Sequence, residues 1–210
     1  DVEHAQALLG HLVEAARTAS WVVLSGSLPP GAPADWYVVL LEALAPLRAR
    51  IAVDTSDDPL RHVAAGLRRV TPELLKPNSQ ELAQLTGARA EHLEAAAAAG
   101  DPQPCVQAAR QLIDRGVGAV LATLGGAGAV LVEAGGAWYA TPAPITLRST
   151  VGAGDSSVAG YVLADVDGLD APGRLARAVA YGSAAASMAG SSLPAPDQTD
   201  PQAVTITRVG

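Results

Sequence analysis

Residues 149–160 read Ser-Thr-Val-Gly-Ala-Gly-Asp-Ser-Ser-Val-Ala-Gly and contain the clearest chemistry in the chain. Because glycine has no Cβ, Gly152 and Gly154 allow backbone N–H groups to turn toward a ligand. A helix-like apolar pattern follows Asp155, and the N-terminus of a helix carries a partial positive charge. The segment therefore predicts an anion site, with phosphate as the candidate ligand and Asp155 beside it. The alternative is a glycine loop in which Asp155 caps the helix.

Three further motifs precede this segment along the chain. They are Ser25-Gly-Ser-Leu-Pro-Pro-Gly31, Lys76-Pro-Asn-Ser-Gln-Glu-Leu82 and Thr123-Leu-Gly-Gly-Ala-Gly128. In this order, and followed by residues 149–160, they resemble the signature of the PfkB family of carbohydrate kinases, in the ribokinase superfamily. The first and last motifs are specific for the hexose-phosphate branch, which includes 1-phosphofructokinase and tagatose-6-phosphate kinase. The resemblance runs from about Trp21 to the C-terminus.

The resemblance implies phosphoryl transfer, which requires positioned phosphates and a hydroxyl that is ready to attack. Asp155 would be the general base that accepts the proton of the sugar hydroxyl, and it would also contact the sugar. Gly152, Ala153 and Gly154 would present backbone N–H groups to the transferring phosphoryl group as an anion hole.

Asn78 and Glu81 have the spacing of a capping box, in which each side chain bonds the backbone N–H of the other residue. The resemblance adds a second role, in which Asn78 contacts ATP and Glu81 binds Mg²⁺ through water. Mg²⁺ keeps several waters in protein sites, so both roles can coexist. Lys76 is the only lysine in the chain. It is either a solvated surface residue or, as the resemblance implies, a contact of the ATP phosphates.

The glycine-rich segment after Thr123 is either a tight turn or a nucleotide contact. It has no third glycine in the position that a dinucleotide fingerprint requires, and the chain contains no P-loop sequence. The resemblance assigns the segment to the ATP phosphates and ribose, with Leu147 and Ser183 near the adenine. The implied ATP contacts are Lys76, Asn78, Thr123, Gly125, Gly126, Gly128, Leu147 and Ser183.

The Ser25-Gly26-Ser27 loop follows a strand-like segment and precedes two prolines that stiffen the turn. The resemblance makes Ser27 a contact of the sugar phosphate, and the alternative is a loop without a ligand. Asp54, at the end of the next strand, is interpreted as structural. Similar kinases also bind K⁺ through backbone carbonyls, and the matching positions are Ser149, Val151 and Gly190.

The bulk composition excludes several other classes of protein. Net charge is −7 with a pI near 5.0, whereas a nucleic-acid surface needs clustered Lys and Arg. No apolar run is long enough to cross a membrane, and we expect no secretory leader. Cys105 is the only cysteine, so an internal disulfide is excluded. The four histidines, His4, His11, His62 and His92, lack partner spacing and are predicted on the surface. We expect a cytoplasmic protein.

β-like and helix-like segments alternate, which favours an α/β fold with a mostly parallel sheet. Residues 1–210 are predicted to form one domain, the three-layer α/β/α sandwich of ribokinase-like proteins. Strands are predicted at 21–24 (buried), 51–53, 74–75, 117–123, 129–132, 137–140 and 204–209. Helices are predicted at 3–19, 35–47, 59–66, 78–86, 103–115, 154–164 and 172–189. The run Ala95–Gly100, with Pro102 and Pro104 after it, is predicted to be a variable loop.

The resemblance also implies an N-terminal part that this chain does not include. That part would supply the first strands, a small β lid, several sugar contacts and a homodimer interface. The sequence therefore predicts an ATP-dependent and Mg²⁺-dependent kinase of a ketohexose phosphate, with fructose 1-phosphate as the leading acceptor. One alternative is a nucleotide-binding fragment without catalysis. The others are a tagatose-6-phosphate kinase, a 6-phosphofructokinase, or another sugar or nucleoside kinase of the superfamily.

Overall fold

Within the described residues, seven strands form one mixed β-sheet, in which the spatial order of the strands follows their order in the chain. The computed structural model describes the backbone of residues 2–210 and the side chains of residues 6–210. The strands are β1 (Trp21–Ser25), β2 (Arg50–Asp54), β3 (Leu74–Leu75), β4 (Ala119–Thr123), β5 (Ala129–Glu133), β6 (Gly136–Thr141) and β7 (Thr205–Arg208). Strands β1 to β4 run parallel, and β5, β6 and β7 each pair antiparallel with the preceding strand.

Eight α-helices cover the two faces of this sheet within the described chain. They are α1 (Val2–Ala16), α2 (Trp36–Leu44), α3 (Asp57–Gly66), α4 (Ser79–Thr86), α5 (Ala90–Ala98), α6 (Gln103–Ile113), α7 (Ala153–Val166) and α8 (Ala171–Ser187). Helices α1 to α6 pack on one face, and α7 and α8 pack on the other. The predicted three-layer α/β/α sandwich is confirmed. None of the described helices combines the length and apolarity needed to cross a bilayer.

The core consists mainly of Ala, Val and Leu side chains, and those on the strands alternate between the two faces of the sheet. In β4, Val120 and Ala122 face helices α1 to α6, whereas Ala119 and Leu121 face α7 and α8. This alternation follows from the two-residue repeat of a β-strand. Strands β2 to β6 offer apolar side chains to both faces, and the buried rings of Tyr37, Tyr139 and Tyr161 add to the packing of the two helical layers.

Most predicted elements occur where the sequence places them, with ends that shift by no more than about three residues. Strands β5 and β6 form an antiparallel hairpin around Gly136, and β7 pairs with β6 at one edge of the sheet. Strand β1 is less buried than predicted, because it lies at an edge of the sheet and leaves Val23 44% exposed. His11, His62 and His92 are exposed as predicted, whereas His4 lies outside the described side chains.

The predicted loop at Ala95–Gly100 is wrong for most of its length, because helix α5 continues through Ala98. Alanine is the strongest helix former, and Leu93 and Ala97 are buried against the core. The prolines did not break a helix here. Pro102 and Pro104 occupy the start of α6, where a missing backbone N–H costs little.

Candidate active site

The carboxyl ends of the parallel strands bring three of the sequence motifs to one edge of the sheet. Ser25, at the end of β1, is in register with Asp54 at the end of β2. Lys76 follows β3 directly, and its backbone N–H donates to Val53 O at 3.0 Å. Asn78 forms a parallel bridge with Thr123 at the end of β4. Edges of this kind are where open α/β sheets bind ligands.

The fourth motif reaches the same edge from the other face, as the N-terminus of α7. Gly152 is the N-cap, with a left-handed φ of 76° that favours glycine. Ala153 N–H donates a long bond of 3.4 Å to Thr150 O. Among the described residues, no acceptor is found for the N–H groups of Gly152 and Gly154. The turn therefore keeps the unsatisfied donors that bind anions at helix N-termini.

Asp155 lies in the first turn of α7 and does not cap the helix, so the capping alternative is wrong. Its side chain is exposed, and Oδ1 accepts a hydrogen bond of 2.8 Å from Ser25 Oγ. This bond joins β1 to α7 across a separation of 130 residues in the chain. One carboxylate oxygen is thus held by the Ser25 loop.

Lys76 is buried, so a solvated surface lysine is excluded. Its Nζ lies 3.1 Å from Asp54 Oδ1, and the two side chains are only 6% and 15% exposed. Burial raises the pKa of the Asp54 carboxyl, Lys76 opposes that rise, and Asp155 adds to it. A Cβ on Gly154 would lie 3.2 Å from Lys76 Nζ. The ion pair therefore lies directly beneath the first turn of α7.

The predicted capping box at the start of α4 is present. Glu81 N–H donates to Asn78 Oδ1 at 2.9 Å, and Asn78 N–H donates to Glu81 Oε2 at 2.8 Å. Burial raises the pKa of Glu81, although the Asn78 backbone and Lys76 work against that rise. The capping box engages Glu81 Oε2 and leaves Oε1 as the second oxygen of the carboxyl group.

The donor set fits Mg²⁺ only with help from waters and substrate phosphates. Within the described part of the chain, no group of three or more His, Cys, Asp or Glu side chains has the geometry of a metal site. Mg²⁺ is commonly held by one or two carboxylates, several waters and substrate phosphates, and Glu81 provides one such carboxylate. The residues present therefore suit a water-mediated ion bound together with a nucleotide.

The glycine-rich segment forms a compact turn between β4 and β5. Thr123 N–H donates to Pro77 O at 3.0 Å, which ties this turn to the Lys76 motif. Gly125 and Gly126 are exposed, whereas Gly128 is buried with φ +99°. A Cβ on Gly128 would lie 1.9 Å from Ala140 O, so only glycine fits there.

The remaining predicted contacts lie along the C-terminal part of α8. The N–H groups of Arg148 and Ser149 donate to Ala186 O at 2.9 and 3.2 Å, which places this segment one turn from Ser183. Leu147 is 64% exposed, consistent with a surface that could contact a ligand. Val151 N–H donates to Ser149 Oγ, and Gly190 lies in the turn after α8 with φ +67°. The K⁺ site stays a prediction.

The loop of residues 25–31 is anchored more firmly than its sequence suggests. Gly26 N–H donates to Asp54 O at 2.9 Å, and Gly26 O accepts hydrogen bonds from Tyr37 and Thr55. Ser27 is exposed and lines a depression of about 230 Å³. Sequence reasoning missed the partner roles of Ser25, Asp54, Tyr37 and Thr55. The only sequence signal for these roles was that Ser25 and Asp54 directly follow predicted strands.

Comparison with known proteins identifies the family. Residues 2–198 match the description of pfkB family carbohydrate kinases. The chain belongs to the pfkB family. This pfkB-family chain is 36% identical over 207 residues to a 1-phosphofructokinase of Rhodobacter capsulatus, an alignment that covers 99% of the chain and 61% of that protein. It is 34% identical over 178 residues to an ATP-dependent 6-phosphofructokinase isozyme 2 of Mycobacterium tuberculosis. That alignment covers 84% of this chain and 47% of the other protein.

Solved structures support the same assignment of fold. Phosphofructokinase-2 from Escherichia coli in complex with potassium has a TM-score of 0.80 at 29% identity, covering 95% of this chain and 60% of that one. A possible 1-phosphofructokinase from Thermotoga maritima has a TM-score of 0.81 at 18% identity, and the match covers 100% of this chain and 62% of that one. At this identity, the likeness supports only the fold. The pfkB-family chain thus spans about three fifths, or less, of the length of each of these relatives and structures.

Proposed function

We propose that this chain carries the phosphoryl-transfer site of an ATP-dependent sugar-phosphate kinase, with fructose 1-phosphate as acceptor and fructose 1,6-bisphosphate as product. One observation carries the proposal. The Asp155 carboxylate, bonded to Ser25, lies at a helix N-terminus whose free N–H groups adjoin the buried Lys76. A base, an anion site and a phosphate-binding cation are thereby held within one small region.

In the proposed reaction, the 6-hydroxyl of the sugar lies against Asp155. The hydroxyl oxygen forms a bond to the γ-phosphorus of ATP, the bond from that phosphorus to the bridging oxygen breaks, and ADP leaves. The hydroxyl proton passes to the Asp155 carboxylate. The N–H groups of Gly152 and Gly154, together with Ala153, stabilise the charge on the transferring phosphoryl group.

The nucleotide side uses the strand-end motifs. Lys76 has three N–H donors, so N–H groups beyond the one facing Asp54 can bind phosphate oxygens. The turn at Thr123 with Gly125, Gly126 and Gly128 borders the phosphates and ribose, and Leu147 and Ser183 border the adenine. Asn78 contacts the nucleotide, and Glu81 holds Mg²⁺ through water. When bound, Mg²⁺ supplies charge neutralisation for the ATP phosphates.

Two further ligands belong to the proposal. Ser27 contacts the sugar phosphate, so we name residues 25–31 the acceptor loop. K⁺ binds the backbone carbonyls of Ser149, Val151 and Gly190, a suggestion supported by a solved relative that is described as a complex with potassium. A homodimer of the full-length protein and a cytoplasmic location are retained as predictions.

A rival function is nucleotide binding without catalysis, because the chain corresponds to 61% of its 1-phosphofructokinase relative. Kinase turnover by the 210-residue chain, measured beside the full-length gene product, would defeat this rival. ATP binding by the chain without turnover would support it.

Product identity tests the proposed function. The full-length gene product is incubated with ATP, Mg²⁺ and one acceptor at a time, and ³¹P NMR identifies the product. The panel contains fructose 1-phosphate, fructose 6-phosphate, tagatose 6-phosphate, ribose and adenosine. We expect fructose 1,6-bisphosphate to form fastest from fructose 1-phosphate. A preference for fructose 6-phosphate or tagatose 6-phosphate would reassign the acceptor, and the absence of any phosphorylated product would contradict the proposal.

A further inference from the structure

Two buried hydroxyl groups converge on a single carbonyl of the acceptor loop. Tyr37 OH and Thr55 Oγ1 each donate to Gly26 O at 2.9 Å. Tyr37 lies in α2 and is 5% exposed, and Thr55 follows β2 and is 4% exposed. A carbonyl oxygen has two lone pairs, so both donors can be satisfied at once.

The same glycine is fixed through its N–H group. Gly26 N–H donates to Asp54 O at 2.9 Å, and its φ of +92° is readily accessible only to glycine. No side chain is available at Gly26, so these three hydrogen bonds hold the backbone there. The hydroxyl groups of Tyr37 and Thr55 and the carbonyl of Asp54 thus bond the backbone of one exposed loop glycine. A surface turn does not need that many hydrogen bonds to elements outside it.

The fixed peptide is adjacent to the residue that holds the proposed base. Ser25, immediately before Gly26, donates to Asp155 Oδ1 at 2.8 Å. A rotation of the Gly26 peptide would displace Ser25 on one side and Ser27 on the other. The position of Gly26 therefore affects both the orientation of Asp155 and the proposed contact with the sugar phosphate.

We propose that Tyr37 and Thr55 are positioning residues for the acceptor side of the reaction, acting through Gly26 on Ser25 and Ser27. The kinetic consequence rests on the proposed function. The clamp, defined as the hydrogen bonds from Tyr37 and Thr55 to Gly26 O, is a property of the chain itself. Phe and Val keep most of the volume of Tyr and Thr, so Tyr37→Phe and Thr55→Val remove the hydroxyl groups while leaving the packing nearly intact.

The first experiment tests the clamp without any assay of activity. NMR measures amide hydrogen exchange, residue by residue, on the 210-residue chain. Losing one hydrogen bond should speed Gly26 exchange about fivefold in each single variant, and more in the double variant. The Lys76 amide, which bonds Val53 O in the adjacent strand, is the internal reference. Faster exchange at both amides would indicate general destabilisation and would overturn the local clamp.

Two variants sharpen this experiment. Thr55→Ser keeps the hydroxyl group, so its Gly26 exchange should match that of the unmodified chain. Thr86→Val is the matched control, because Thr86 Oγ1 also donates to a carbonyl, Leu82 O at 2.7 Å, but at the far end of α4. It should leave Gly26 exchange unchanged. Unchanged Gly26 exchange in Tyr37→Phe and Thr55→Val would also overturn the clamp.

The second experiment separates the clamp from the proposed function. In the full-length gene product, Tyr37→Phe and Thr55→Val should each raise KM for the sugar phosphate about fivefold, while KM for ATP stays within about twofold. Equal rises in both KM values would overturn the assignment to the acceptor side. If the unmodified protein phosphorylates no sugar phosphate, the proposed function fails, and the exchange experiment still decides whether the clamp exists.

Discussion

The buried pair of Lys76 and Asp54 is the strongest single-residue feature of the site. A cation beside a helix N-terminus is unfavourable, because the N-terminus is itself partly positive. Asp54 compensates locally, with its carboxyl oxygen 3.1 Å from the ammonium nitrogen. An anion that contacts both Lys76 and the free N–H groups of α7 would stabilise the region further. A phosphoryl group bound there would make both contacts.

This pairing predicts the effect of removing one partner. Lys76→Met should lower the free energy of unfolding by about 3–5 kcal/mol, because Asp54 is left buried and unpaired. The double variant Lys76→Met with Asp54→Asn should recover most of that loss but should not recover ATP binding. Urea unfolding and calorimetric ATP titration measure the two effects.

The exposed pair of Arg61 and Asp58 offers a matched control for this prediction. Their side chains are 59% and 67% exposed, so Arg61→Met should leave the urea midpoint of unfolding nearly unchanged. A Lys76→Met variant as stable as the unmodified chain would show that the pair is not buried in solution.

At the residue scale, the sequence identified the types of side chain but not their partners. Lys76 was singled out as the only lysine, and the Asn78–Glu81 box follows from spacing alone. The bond from Ser25 to Asp155 joins residues 130 positions apart. Such a contact depends on strand register and helix placement, which no local pattern encodes.

The elements of the site are strand ends and short turns, and their glycines are not equivalent. Gly128 is required by its surroundings, because its backbone lies against Ala140 O. Gly126 has open space where a Cβ would be and no positive φ. Tyr139 supports the same turn by donating to Ala127 O at 2.5 Å and lying 3.1 Å from Ala97 O.

Gly128→Ala should therefore destabilise the hairpin of β5 and β6 strongly. A methyl group cannot occupy a point 1.9 Å from a backbone oxygen, so the turn must move and φ becomes strained. We expect a loss of about 2 kcal/mol or more in thermal or urea unfolding. Gly126→Ala, the matched control, should change stability by less than about 0.5 kcal/mol. Equal stability of the two variants would contradict the described turn.

At the element scale, periodicity predicted the strands and most helices because their buried faces repeat in the sequence. Helix α5 was missed because the run of alanines offers no polar and apolar contrast, and the nearby prolines suggested a loop. Its helical state depends on packing of Leu93 and Ala97 against the core, which is a tertiary effect.

The molecule as a whole holds the site between two layers that are tied together at the opposite end of the sheet. Asp165, near the end of α7, accepts hydrogen bonds from Trp21 Nε1 and Arg174 Nη1, both at 2.9 Å. Arg174 also bonds Glu133 at 2.7 Å. This network fastens α7 and α8 to β1 and β5, so the N-terminus of α7 is held at a fixed position above the carboxyl edge.

At this scale, the sequence was sufficient for the family and for the ribokinase-like fold, and both are confirmed. Four motifs made the assignment possible, because their residues and their order along the chain resemble the family signature; three of them lie at strand ends and the fourth begins α7. The preferred acceptor could not be predicted as firmly. The loop at Ser25 to Gly31 forms only one side of the proposed acceptor site, so the chain carries only part of the residues that would select the sugar.

The most direct test of the central claim is the rate of the chemical step in Asp155→Asn. Rapid-quench measurement on the full-length gene product, with ATP, Mg²⁺ and fructose 1-phosphate, should show a loss of about 10²–10⁴-fold, while calorimetric ATP affinity stays unchanged. Asp167→Asn, which alters an exposed carboxylate at the other end of α7, should retain the full rate. A near-normal chemical step in Asp155→Asn would contradict the account.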